Sequence, residues 1–275
     1  RKHGKVVTDT PFFDQMFAGI AQECQKRQYE LVISYAYAAD SKALEQLFVT
    51  LRDENRPVLL LATEMDSADL NAFSGLDVPL LVLDSCFTLD GHNSISINNY
   101  ESGFLAAMHL ADYGHEHIGL ITSSLPFNNM VQRGNGFVDG LAERALKLKK
   151  EDIFYVEPTT DGAFRDIQEI LGHRSAKLPT AFFAANDIMA FGAARAMKSV
   201  GIRLPDEVSL IGMDNMPFCL VVNPTLSTIN VPKEEMGSAA VSRLIDMAEN
   251  PRDVVLKIQV SVSLVQRESV KRIAK

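Results

Sequence analysis

The chain has 275 residues, 47% of them hydrophobic, and can therefore bury a sizeable core as one large lobe or two smaller ones. Its formal net charge of −8 argues against a phosphate-binding face, because nucleic-acid binders concentrate Lys and Arg. Cys24, Cys86 and Cys219 are odd in number and widely spaced, which suggests neither a disulfide framework nor a zinc site and fits a reduced cytosol. No apolar run reaches the roughly 18 residues of a membrane span, so no membrane partner is expected.

Residues 5–8 read as a first strand, and a loop through Asp9 to Phe13 leads into a helix with Phe17, Ile20, Ala21 and Cys24 on one face. A second strand is expected over 29–34, followed by a helix carrying Leu44, Leu47, Phe48 and Leu51 at helical spacing. The unit then repeats. A buried strand over 58–62 precedes a short helix over 66–73, and the run 79–84 is a strand ending on the carboxylate of Asp84. Residues 94–97 alternate like a strand, after which Asn98 and Asn99 signal a cap for a helix over 100–113 closed by Gly114.

A second series begins at 118–122 and continues through a helix over about 131–145, a strand over 153–157 and a helix near 163–171. Residues 180–185 are an apolar run too short for a buried helix. Asn186 and Asp187 at its end cap an Ala-rich helix over 188–200 that stops at Gly201. The buried run 208–213 ends on Asp214 and Asn215. In an open parallel sheet, ligands bind outside the carboxyl ends of the strands, and these strands deliver Asn186, Asp187 and Asp214 there. The tail reads as a strand over 227–231, a helix over 233–249 and one or two strands within 254–265. The expected domains are 1–97 plus 229–259 and 98–228 plus 260–275, with chain crossings near Ile97, Thr228 and Val260.

Several motifs in order resemble the effector-binding domain of the LacI/GalR family of transcription regulators. They are Pro11-Phe12-Phe13, the run Gln132 to Phe137, the run Asn186 to Gly192, Leu210 to Asn215, Pro224 to Ile229, and Glu235-Met236-Gly237. Each is weak alone; their order and spacing are specific. The resemblance implies an α/β fold like that of periplasmic sugar-binding proteins, two lobes around a cleft, each a mostly parallel sheet flanked by helices. It implies a ligand pocket from Phe12, Phe13, Asp84, Arg133, Asn186 and Asp214. This chemistry suits a sugar. A carboxylate accepts from neighbouring hydroxyls, a guanidinium donates as a fork, and an aromatic face covers the C–H side of a pyranose.

Plainer readings stand beside these. Asp214 also reads as a turn residue, Arg133 as a salt-bridge partner, Phe12 or Phe13 as core, and Asn186 as a helix cap. Asp187 is assigned to the helix N-terminus rather than to ligand. His115-Glu116-His117 follows a helix-ending glycine and has no Cys partner nearby, so it reads as a solvated loop rather than a metal site. Gly134-Asn135-Gly136 lacks the preceding strand and the third glycine of a dinucleotide fingerprint. No nucleophile with a base is evident, and neither an enzyme nor a cofactor is expected.

By the resemblance, the chain is the effector-binding and dimerisation domain of a cytoplasmic regulator, a repressor in the usual family pattern, without the family's N-terminal helix-turn-helix. Its partners are a small carbohydrate held between the lobes, a second copy of the chain, and operator DNA only through a headpiece this chain lacks. The surfaces of the helices at 66–73 and 233–249 are the candidates for the dimer. Effector binding changes the lobe angle and thereby DNA binding. The alternative is a periplasmic sugar-binding protein of a transport system.

Overall fold

The computed structural model describes residues 11–37, 40–73, 75–85, 87, 91–251 and 254–273. The strand expected over 5–8 lies outside them. In chain order the first elements are α1 (Pro11–Lys26), α2 (Ser41–Asp53), β1 (Val58–Leu61), α3 (Ser67–Asn71), β2 (Leu80–Leu83) and β3 (Asn93–Ile97). There follow α4 (Asn99–Asp112), β4 (Ile118–Ser123), α5 (Asn128–Ala142), β5 (Ile153–Val156), α6 (Thr160–His173) and β6 (Ala181–Ala184). The chain ends with α7 (Asp187–Ser199), β7 (Ser209–Asp214), β8 (Ser227–Asn230), α8 (Lys233–Glu249), β9 (Lys257–Val260) and β10 (Ser263–Val265). It divides into two compact units, 1–97 with 232–260 and 98–231 with 261–275.

The first unit holds a sheet ordered β1-β2-β3-β9, all pairs parallel. β2 is buried along its whole length, as a parallel strand covered on both faces must be. Residues 29–34, expected as a strand, enter neither sheet among the described residues, and Val32 and Ile33 are exposed. A strand exists only through a ladder, and this stretch has none with the sheet's described members.

The face of α1 also differs from expectation. It buries Phe12, Phe13, Met16, Ile20 and Cys24, while Ala21 is exposed. The cause is a close crossing with α8: a methyl group built on Gly19 would lie 2.0 Å from the Glu234 carbonyl oxygen, and one on Gly237 would lie 2.2 Å from that of Met16. Only hydrogen fits at either place. One turn on, the buried carboxylate of Glu23 joins the same two helices, accepting from Ser242 Oγ at 2.9 Å, Arg27 Nε at 2.9 Å and Lys26 Nζ at 3.1 Å. These donors, Arg27 first and Lys26 second, hold its pKa down at about 2.

The second unit holds a six-stranded sheet ordered β10-β8-β7-β6-β4-β5, parallel except for the antiparallel β10–β8 edge. β4, β6 and β7 are buried throughout; on β6, Phe183 meets Phe137 of α5 and Phe182, on the opposite face, meets Phe154 of β5. On one face α4 and α5 cross at a pair of glycines. A methyl group on Gly103 would lie 1.9 Å from the Arg133 carbonyl oxygen, and one on Gly136 would lie 1.9 Å from that of Tyr100. The Gly134-Asn135-Gly136 run is thus helical and serves helix packing.

The amino edge of this sheet corrects one expectation. His115 is not in a solvated loop but 3% exposed, between Thr180 Oγ1 at 2.9 Å and the Lys271 carbonyl at 3.1 Å. A carbonyl can only accept, so Nε2 carries the hydrogen, and burial lowers the ring's pKa. His117 Nε2 meets the fully buried Asp152 at 2.7 Å, whose other oxygen accepts from Arg174 at 2.5 Å. The two histidines tie β4 to its neighbours.

Candidate functional site

At the carboxyl edge of the second unit's sheet, β6 runs out into Ala185 and Asn186. Asn186 is the N-cap of α7, its Oδ1 accepting from the Met189 amide at 2.8 Å. It is 6% exposed, and its Nδ2 donates to nothing among the described residues. Arg133, on the second turn of α5, is 5% exposed and turns its guanidinium onto this edge. Nη1 donates to the Ala185 carbonyl at 2.5 Å and Nε to Asn99 Oδ1 at 2.8 Å, leaving Nη2 uncommitted among the described residues. The plain salt-bridge reading of Arg133 fails, since its partners are a carbonyl, a neutral amide and the Met130 sulfur at 4.0 Å.

β7, paired in parallel with β6, ends on Asp214, 7% exposed and with φ +114°. Asn215 follows at φ +51°. Such torsions are rare for residues with a Cβ and persist only where surrounding contacts impose them. Here the contacts are evident. Asn215 Nδ2 donates to Asn230 Oδ1 at 2.9 Å, its Oδ1 accepts from Arg267 Nη2 at 2.7 Å, and its amide reaches Thr228 Oγ1 at 3.2 Å. The turn that aims Asp214 is built from β8 and the C-terminal tail.

Behind Asp214 lies Asp187, at the helix N-terminus as expected but with a larger part than a dipole partner. It is fully buried, and its Oδ1 accepts from Thr228 Oγ1 at 2.7 Å. Its Oδ2 accepts from the Met216 amide at 2.8 Å and from Cys219 Sγ at 3.1 Å. It thereby locks the segment after β7 to α7. Gly212 leaves it room, since a methyl group there would lie 2.2 Å from Asp187 Oδ1. A glycine inside a buried strand was the available sequence signal for that close approach. Burial first, and the charge of Asp214 second, push the Asp187 carboxyl up to about 7.

The first unit has a polar edge of its own. Asp84 follows β2 with φ +60° and is 2% exposed; its amide donates to the Ile95 carbonyl at 2.9 Å, and its Oδ2 accepts from Thr63 Oγ1 at 2.6 Å. Phe12 and Phe13 lie in the first turn of α1 rather than in a loop, with Pro11 opening the helix. Both are buried, their rings meeting edge to face at 5.0 Å, with Lys233 Nζ 5.7 Å from the centre of the Phe12 ring. Of the six residues, the structure groups Arg133, Asn186 and Asp214 on one sheet edge. In the first unit, Asp84 closes a strand and the two phenylalanines open a helix.

Residues 107–270 match the model of the periplasmic binding protein-like domain family. The chain is 33% identical over 264 residues to the ribose operon repressor of Haemophilus influenzae, covering 96% of this chain and 79% of that protein. It is 31% identical over 276 residues to the transcriptional repressor PurR of Mannheimia succiniciproducens, covering 98% of this chain and 81% of that protein. Among solved structures, a LacI family transcriptional regulator of Enterococcus faecalis with bound ribose superposes with a TM-score of 0.79 at 26% identity, covering 96% of both chains. A putative LacI regulator of Bacillus cereus subsp. cytotoxis reaches 0.88 at 20% identity, covering 99% of this chain and 97% of that one. With repressors as its relatives and an α/β fold of mostly parallel sheets under helices, the chain belongs to the LacI/GalR family of transcription regulators, in whose pattern it is an effector-binding domain.

Proposed function

We propose that the effector is a small carbohydrate, recognised through Arg133, Asn186 and Asp214 in the second unit. The observation that carries this is the donor and acceptor set on one sheet edge. Arg133 Nη2 and Asn186 Nδ2 are donors without a protein acceptor among the described residues, and Asp214 closes the adjacent strand with a carboxylate. Vicinal hydroxyls, each both donor and acceptor, match that set. The ribose-bound relative and the ribose operon repressor make D-ribose the first compound to titrate.

The torsions supply a clean variant. At φ +114°, Asp214→Gly removes the carboxylate without imposing a new strain. Relief of roughly 1–3 kcal/mol of backbone strain offsets the roughly 0.5–1 kcal/mol entropic cost of glycine. We expect an unchanged or raised melting temperature together with at least about tenfold weaker D-ribose binding, the loss of one charge-assisted hydrogen bond. Calorimetric titration checks this. Unchanged affinity in both Asp214→Gly and Arg133→Ala would remove these residues from the site.

The family relation to repressors favours gene regulation over transport, and the same reading places the protein in the cytoplasm, acting without catalysis. It also implies a homodimer, since such regulators read two half-sites symmetrically. α8 spends its apolar face on α1 and the first sheet, with Met236, Ala240, Val241, Leu244 and Ile245 buried, so only its outer face is left for a partner copy. Sedimentation of this chain at tens of micromolar should show a dimer; a monomer would count against self-association through this chain.

A further inference from the structure

We propose that Asn99 is the residue that positions Arg133 for the effector, an inference that rests on the carbohydrate reading above. A guanidinium is planar, so two hydrogen bonds from different elements fix both its place and its plane. Arg133 has these two. Nη1 is anchored on the Ala185 carbonyl at the end of β6, and Nε on Asn99 Oδ1 at the start of α4. Asn99 is 1% exposed and is not the cap of its helix, a task done by Asn98, whose side chain accepts from the Glu101 amide at 3.1 Å. Its side-chain oxygen accepts from Arg133 Nε at 2.8 Å.

The choice of an amide matters electrostatically. A carboxylate here would form a buried ion pair and cancel the charge that makes Nη2 a strong donor; a neutral acceptor orients the guanidinium and leaves the charge for the ligand. The helix crossing supplies the geometry. Gly103, one turn beyond Asn99 on α4, is where the Arg133 backbone comes to within 1.9 Å of a would-be methyl group. That contact sets the height of Arg133 against α4, and Asn99 then sets the direction of its side chain.

Two measurements on the whole chain separate positioning from mere packing. In nitrogen-15 spectra the Nε–H signal of Arg133, identified by its absence in Arg133→Lys, should be protected from exchange. Asn99→Ala should abolish that protection and Asn99→Asp, which keeps an acceptor, should restore it. In calorimetric titrations with D-ribose, Asn99→Ala should weaken binding roughly tenfold, but in an Arg133→Ala background the same change should cost less than about twofold, since the pair acts as one unit. Persistent protection in Asn99→Ala, or losses that add in full, would overturn the proposal. Should the wild-type chain not bind D-ribose, ribose falls as the effector, while the Nε–H signal still decides whether Asn99 orients Arg133.

Discussion

Gly136→Ala should destabilise the second unit by about 3 kcal/mol or more, the upper range for overpacking a core. The added methyl group would lie 1.9 Å from the Tyr100 carbonyl oxygen and 2.7 Å from its carbon, which are backbone atoms and cannot rotate away. α4 and α5 must then separate by more than 1 Å, roughly the gap between that distance and an ordinary van der Waals contact. Separation loosens Phe137, Leu141, Ala106 and Ala107, all buried at the crossing. Gly103→Ala meets the same obstacle against the Arg133 carbonyl. A matched control is Gly172→Ala in α6, where nothing lies within 4 Å of the new methyl group. That change should stabilise by a few tenths to about 1 kcal/mol, the helix propensity difference. Urea unfolding of the three variants decides it; a Gly136→Ala chain within 1 kcal/mol of wild type, roughly the scale of an ordinary surface change, would refute the crossing.

The Asp187 carboxyl should make stability fall between about pH 4 and pH 7. Its folded pKa is about 7 against an ordinary value of 3.8, so within that window the folded chain holds a proton that the unfolded chain has released. The contribution is complete below the unfolded value and disappears as pH rises through the folded one. A shift of that size corresponds to on the order of 4 kcal/mol. The charge on Glu23 acts in the opposite sense and at lower pH, since its pKa of about 2 gives stability that is present above about 4.5 and lost on acidification. Unfolding free energies at pH 5 and pH 8, compared between wild type and Asp187→Asn, should show the slope removed in the variant. Asp214→Asn keeps Asp187 but deletes the neighbouring charge, so the window should close at a lower pH. If both variants keep the full wild-type slope, Asp187 is not the group responsible.

Much of the second unit can be read from residue patterns. Apolar runs of four to six residues flanked by Asn, Asp and Gly mark β4, β6 and β7 within a residue or two, and Asn98 and Asn186 are the helix caps they resemble. The helix over 233–249 has the bounds expected of it. Local chemistry suffices there because a buried parallel strand must be uniformly apolar and a helix start needs an acceptor for its free amides. The family relation was likewise legible, since spaced motifs along the whole chain are a property of order in sequence.

Other features depend on which elements meet, and no local pattern encodes that. The rotated face of α1 follows from Gly19 against Glu234, more than two hundred residues away in sequence. His115 and His117 look like a polar loop until Thr180, Lys271 and Asp152 close around them. Residues 29–34 carry the composition of a strand, but a strand is made by its neighbour. At the candidate site, sequence by itself determined the residue types and their arrival at the ends of strands, because strand length and helix capping are local. Tertiary structure alone decided that Asn99 holds Arg133, that Asp187 sits fully buried behind Asp214, and that Asp214 and Asn215 are held at positive φ, because each is a hydrogen-bonded contact between segments remote in the chain.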